Sequence, residues 1–151
     1  MNITYSISNW IYGTEPLEQA FKRLKKFGYD AIELMIEEPS KFDVDQAKKY
    51  IDQYELPCCS VCTMMTGAAP TESRRNLIDK EVSVQKQTIE YIKGALSIGG
   101  ELGAKLCLTV PSGVANVSDN WTDENTGLMV ENLAILGDHA SSVGKILLAI
   151  E

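Results

Sequence analysis

Cys58, Cys59 and Cys62 crowd one short stretch, and Cys59-Ser60-Val61-Cys62 is formally a CxxC. Thiolates at that spacing hold zinc or exchange disulfides. A zinc site needs a second such pair or a nearby histidine, and the sequence has neither. A redox CxxC opens a helix, whereas this one lies inside the β-prone run Leu56–Thr63. On a strand, positions i and i+3 point to opposite faces, so Cys59 and Cys62 cannot close on one ion. The cysteines therefore read as buried, reduced, small hydrophobic residues. His139 is the one histidine, and it stands inside a helical stretch, Gly137-Asp-His-Ala140. It reads as a surface or helix-packing residue rather than a catalyst or ligand. A carboxylate is the more informative group. Glu33 stands between Ile32 and Leu34 in an apolar run, where a charge is costly unless it is paired or wet.

The elements that must position these groups alternate along the whole chain. Ile3–Ser8 reads as a first strand. Thr14-Glu15-Pro16 opens a helix with Leu17, Ala20, Phe21 and Leu24 on one face, and Gly28 ends it. Ala31–Ile36 is a second strand, and Asp43 caps a helix running to Tyr54 with Val44, Ala47 and Ile51 inward. Cys58–Thr63 is a third strand, followed by a long loop through Gly67–Arg75 and a helix from Lys80 to Leu102. Leu106–Val110 is a fourth strand. After the loop Pro111–Trp121, a helix capped by Thr122 runs to Val143, and Ile146–Ile150 is a fifth strand. The joins at Gly28, Gly103 and Gly144 share one grammar: an apolar helix end, a glycine in the left-handed cap, then a short lead into a strand. Alternating βα units with short αβ turns imply a parallel sheet covered by helices, with function carried by the longer βα loops.

Composition bounds the class. The chain has 151 residues, 44% of them hydrophobic and 23% charged, which is globular rather than disordered or coiled-coil. Its net charge of −7 makes it a poor polyanion binder, so neither nucleic acid nor an anionic membrane is expected as a partner. No stretch approaches the roughly 18 to 20 apolar residues of a membrane span, and the N-terminus lacks the pattern of a secretory signal. A cytoplasmic protein is the expectation.

Two architectures fit the order of elements. A five-strand flavodoxin-like sheet has about the right length, but it usually ends on a covering helix, and its nucleotide-binding versions place a Gly-rich or hydroxyl-rich phosphate loop after strand one. Here that loop reads Ser8-Asn9-Trp10-Ile11-Tyr12, bulky and aromatic. The other fit is a TIM barrel truncated after its fifth strand, since a complete one takes roughly 250 residues. Alternation would turn Glu33 to the barrel interior, either as a substrate-pocket group near the strand's C-terminal end or as a structural carboxylate bonded to its neighbours. Asn9 and Trp10 would stand at the end of strand one, with Trp10 as an apolar pocket wall. Ser112, after strand four, could bond a substrate hydroxyl or cap its own loop.

Ile3-Thr-Tyr-Ser-Ile-Ser-Asn-Trp10, Phe27-Gly-Tyr-Asp-Ala-Ile-Glu-Leu34, Leu102-Gly-Ala-Lys105 and Leu147-Leu-Ala-Ile-Glu151 together resemble a known family. It is the sugar (phosphate) isomerase/epimerase superfamily with the xylose-isomerase-like TIM barrel. The resemblance covers residues 1–151 as the N-terminal part of one such domain. It implies proton transfer beside a carbonyl through an enediolate, with a divalent cation, Mn²⁺ or Mg²⁺, as Lewis acid. It also implies that Glu151 is both a metal ligand and a catalytic carboxylate, the remaining ligands lying on later strands. Glu33, Asn9, Trp10 and Ser112 become candidates for binding a sugar or sugar phosphate. The AP-endonuclease branch uses histidines at the ends of strands three and four, where this chain has Thr63-Met64 and Pro111-Ser112, so DNA repair is disfavoured. A fragment of this kind is expected to be inactive by itself. Its open strand edges would leave it prone to associate with other copies. A dehydratase on the same metal site, or a non-enzymatic flavodoxin-like binding module, is the alternative.

Overall fold

The computed structural model describes residues 3–63, 75–111 and 122–151. Five parallel strands, β1 (Ser6–Ser8), β2 (Ala31–Ile36), β3 (Cys58–Thr63), β4 (Leu106–Thr109) and β5 (Leu147–Ile150), pair in chain order β1-β2-β3-β4-β5. Among the described residues, four α-helices connect them: α1 (Leu17–Lys26), α2 (Val44–Tyr54), α3 (Val82–Glu101) and α4 (Asp123–Ser142). Sequential order excludes the flavodoxin alternative, in which the second strand lies outside the first and the sheet reverses at a switch point. Each strand instead lies beside its predecessor, as in a barrel wall.

Local sequence accounts for most boundaries. The Asp43 carboxylate accepts the Gln46 N–H at 2.9 Å and starts α2; Thr122 Oγ1 accepts the Asn125 N–H at 3.1 Å and starts α4. One of the three glycine joins differs from expectation. The third uses Lys145, at φ 57°, as its left-handed residue, while Gly144 sits at φ 128° beside the Gly100 Cα. The α2 helix ends on Glu55 at φ 48°, without a glycine. The first strand is also shorter than expected. The Tyr5 N–H bonds the Asp30 carboxylate and its carbonyl accepts from the Asp30 and Ala31 N–H groups, so a side chain replaces the ladder there.

The core lies on one face of the sheet. Ile32, Leu34, Ile36, Val61 and Cys107 are fully buried against Phe21, Leu24, Ile92, Leu96 and Leu136 of the helices. Each large side chain so buried contributes about 1.5–3 kcal/mol against the entropy of ordering the chain. A one-residue irregularity sets Ile32 opposite Cys58 but Glu33 opposite Ser60, which slips the β2–β3 register. Glu33, Ser60 and Cys62 consequently share the face turned away from the helices.

Candidate functional site

The ends of parallel strands are where βα proteins place chemistry. At the tip of β1, Ser8 leads into a short 3₁₀ turn, Asn9–Tyr12. Asn9 Oδ1 accepts the Met35 N–H at 2.7 Å, so its side chain continues the pairing of β2 where β1 has stopped. Trp10 beside it is 52% exposed. A large aromatic ring left in water at a strand tip is available as a wall for something bound there.

Glu33 is the third residue of β2 rather than a residue of its tip. Its Oε2 accepts the Ser60 hydroxyl at 2.7 Å, which partners the carboxylate on the otherwise open face. Ser8 Oγ lies 3.6 Å from Cys62 Sγ in the same neighbourhood. Burial pushes the Cys62 thiol up to about 12; the Ser8 contact opposes this and the Glu33 charge adds to it. Such a thiol is inert at neutral pH. Cys59 Sγ meets the Ile32 carbonyl at 3.4 Å, so the two cysteines of the CxxC have separate partners. All four cysteines are free. His139 Nε2 lies 3.0 Å from Ser97 Oγ and 3.2 Å from the Lys93 carbonyl, between α3 and α4, as a helix-packing histidine.

Glu151 continues the β5 ladder, its N–H bonding the Thr109 carbonyl at 3.0 Å, and it is exposed. Counting by twos along β5 puts it on the face of Leu147 and Ala149. Those residues pair in register with Leu106 and Leu108, which in turn pair with Ser60 and Cys62. Glu151 and Glu33 thus share a face but not a place. Glu33 is level with Leu147, so four residues, about 13 Å along the strands, separate the carboxylates. Asn9 and Trp10 stand at one outer strand and Glu151 at the other. Ser112 lies outside the described residues. The serine that does partner Glu33, Ser60, escaped the sequence reading. Its signal was there, a hydroxyl at the same strand parity as a carboxylate on the next strand, but only register reveals it.

A hard divalent cation would find the Glu151 carboxylate as an oxygen donor at the strand tips. Among the described residues, no three His, Cys, Asp or Glu side chains converge to hold an ion.

Parallel strands in chain order with helices on one face and polar groups at the C-terminal tips define one wall of a TIM-barrel protein. A model of the xylose isomerase-like TIM barrel family matches residues 21–151, and the chain belongs to that family. The fold matches solved structures of sugar epimerases. A D-allulose 3-epimerase from Methylomonas sp. superposes with a TM-score of 0.80 at 18% identity, over 98% of this chain and 50% of that one. The 3-keto-D-glucoside 4-epimerase from E. coli gives 0.76 at 15% identity, over 98% and 56%. An L-ribulose 3-epimerase gives 0.77 at 15% identity, over 98% and 49%. This chain therefore spans about half the length of those structures. No curated protein matches it in sequence. No helix among the described residues is long and apolar enough to cross a membrane.

Proposed function

We propose that the chain is the N-terminal part of a divalent-metal-dependent sugar or sugar-phosphate isomerase or epimerase, inactive until the rest of the barrel closes over it. Glu151 carries the proposal: an exposed carboxylate at the end of the β5 ladder, on the face turned away from the helical core, in a chain of this family. The epimerases of known structure that share its fold support a sugar as the substrate class. Mn²⁺ or Mg²⁺, when bound by Glu151 and by residues of later strands, would polarise the oxygens of a hydroxyketone.

The chain's own groups then divide the work. Glu151 holds or moves the proton beside the carbonyl, the step that leads to an enediolate. Asn9 and Trp10 form the wall at the tip of β1, Trp10 offering an apolar face to the carbon chain of a sugar. Glu33, fixed by Ser60, lies deeper and sets the polarity of the floor. Ser112 would bond a substrate hydroxyl. The expected setting is cytoplasmic, with neither nucleic acid nor membrane as partner. Association of copies is expected through the outer strands.

The experiment is to extend the reading frame, express the whole protein and supply ketoses and ketose phosphates with Mn²⁺ in deuterated water. Isomerised product carrying solvent deuterium is expected, with a loss of roughly 100-fold or more in E151Q. Later strands without inward Asp, His or Glu, or an E151Q variant of full activity, would refute the assignment. Dehydrated product would move it to a dehydratase.

A further inference from the structure

Leu77 lies between β3 and α3 and is fully buried, yet its backbone leaves no polar group unanswered. Its N–H donates to the Pro111 carbonyl at 2.9 Å, just past β4. Its own carbonyl accepts from Asn132 Nδ2 at 2.6 Å, a buried bond from the middle of α4. Neighbouring residues are held as firmly. The Asn76 N–H donates to Thr88 Oγ1 of α3 at 2.9 Å, and Asn76 Oδ1 accepts the Ile78 N–H at 2.9 Å. Arg75 stacks on the Tyr91 ring, 3.6 Å from its centroid, and donates to the Glu37 carbonyl at 2.8 Å. Residues 75–78 are thus a peg driven between the tips of β2 and β4 and the helices α3 and α4.

Asn132 is the member that helical structure does not require. It is 6% exposed, a poor helix former in mid-helix, and its amide is aimed at a carbonyl of another segment. That carbonyl belongs to the residue whose N–H holds Pro111. Two residues before Pro111, Thr109 offers its carbonyl to the Glu151 N–H. The bonds run in series from α4 through Leu77 to the end of β4 and on to Glu151.

We propose that Asn132 is a positioning residue: by bonding Leu77 it fixes the C-terminal tip of β4 and so the backbone from which Glu151 projects. The proposal rests on Glu151 being the working carboxylate only for its functional meaning. The mechanical link stands or falls without it. The test is amide hydrogen exchange on the 151-residue chain, comparing N132L with S97A. S97A removes the contact to His139 between the same two helices without touching Leu77. Leu is close to Asn in shape but leaves a buried carbonyl unpartnered, so N132L is expected to speed exchange at both Leu77 and Glu151 by roughly tenfold or more relative to S97A. N132A, which leaves room for a water to bond the carbonyl, should fall between them and serves if N132L does not fold. Faster exchange at Leu77 without Glu151 would refute the link, as would a uniform rise across all strands or no change at either amide. E151Q in the complete enzyme separately tests the functional assignment, so the two failures are distinguishable.

Discussion

Gly100→Ala is the sharpest probe of how Glu151 is delivered to its place. Gly100 lies near the end of α3, where the turn from α4 into β5 crosses it, and a Cβ built there would fall on the Val143 carbonyl oxygen and 3.1 Å from its carbon. The obstacle is backbone, so no rotamer change relieves it; α3 and the turn must part. Overpacking of this sort costs about 1–3 kcal/mol, and a rigid obstacle puts it at the upper end. Replacing glycine by alanine inside a helix returns about 1 kcal/mol. The net expectation is a loss of about 2 kcal/mol, or roughly 4–8 °C in Tm for a chain of this size. Gly137, in α4, is the matched control: nothing lies within 4 Å of its added Cβ, so G137A should gain about 0.5–1 kcal/mol. Urea titrations followed by circular dichroism would measure both. A G100A variant as stable as G137A would mean that the turn does not sit on α3, and the entry of β5 into the sheet would have to be redrawn.

Burial pushes the Cys58 and Cys62 thiols from 9.0 to about 12 and Cys107 to about 11. The unfolded chain then releases protons above pH 9 while the folded chain keeps them, so stability is intact below pH 9 and falls as pH rises through 9 towards 11–12. The loss is at most about 1.4 kcal/mol per thiol by pH 10, and a urea midpoint that holds steady between pH 8 and 10 would contradict it. Calorimetric titration of the 151-residue chain with Mn²⁺ should show weak binding, because no three metal-type side chains converge among the described residues; a tight one-to-one site in a monomer would contradict the shared-ligand scheme. Asp43→Ala removes the bond to the Gln46 N–H and should cost about 1 kcal/mol in thermal unfolding, whereas no loss would mean that water caps α2 as well as the carboxylate does.

Much of the fold was legible because its causes are local. The bounds of β2, α2 and β3 followed from apolar period, capping carboxylate and β-branched content, all properties of adjacent residues. The first strand was read too long because Asp30, far along the chain, bonds the Tyr5 N–H in place of a ladder. Glu33 was read as a mid-strand residue turned away from the helices, and it stands third in β2 on that face. The slip between Ile32 and Glu33 that pairs it with Ser60 leaves no trace in either strand alone. The place of Leu77 is not written in its own segment, since its partners Pro111 and Asn132 come from two other segments.

Unaided, the order of residues determined the alternation of strands and helices, the caps that start α2 and α4, and the side of β2 that carries a charge, because each depends on contacts within a few positions. Tertiary structure alone decided that the five strands lie in chain order, that Ser60 answers Glu33, and that the two carboxylates stand about 13 Å apart along the strands. Register and strand order arise from pairings between residues distant in the chain. Their energies depend on how whole faces fit together, and no short stretch of sequence contains that information.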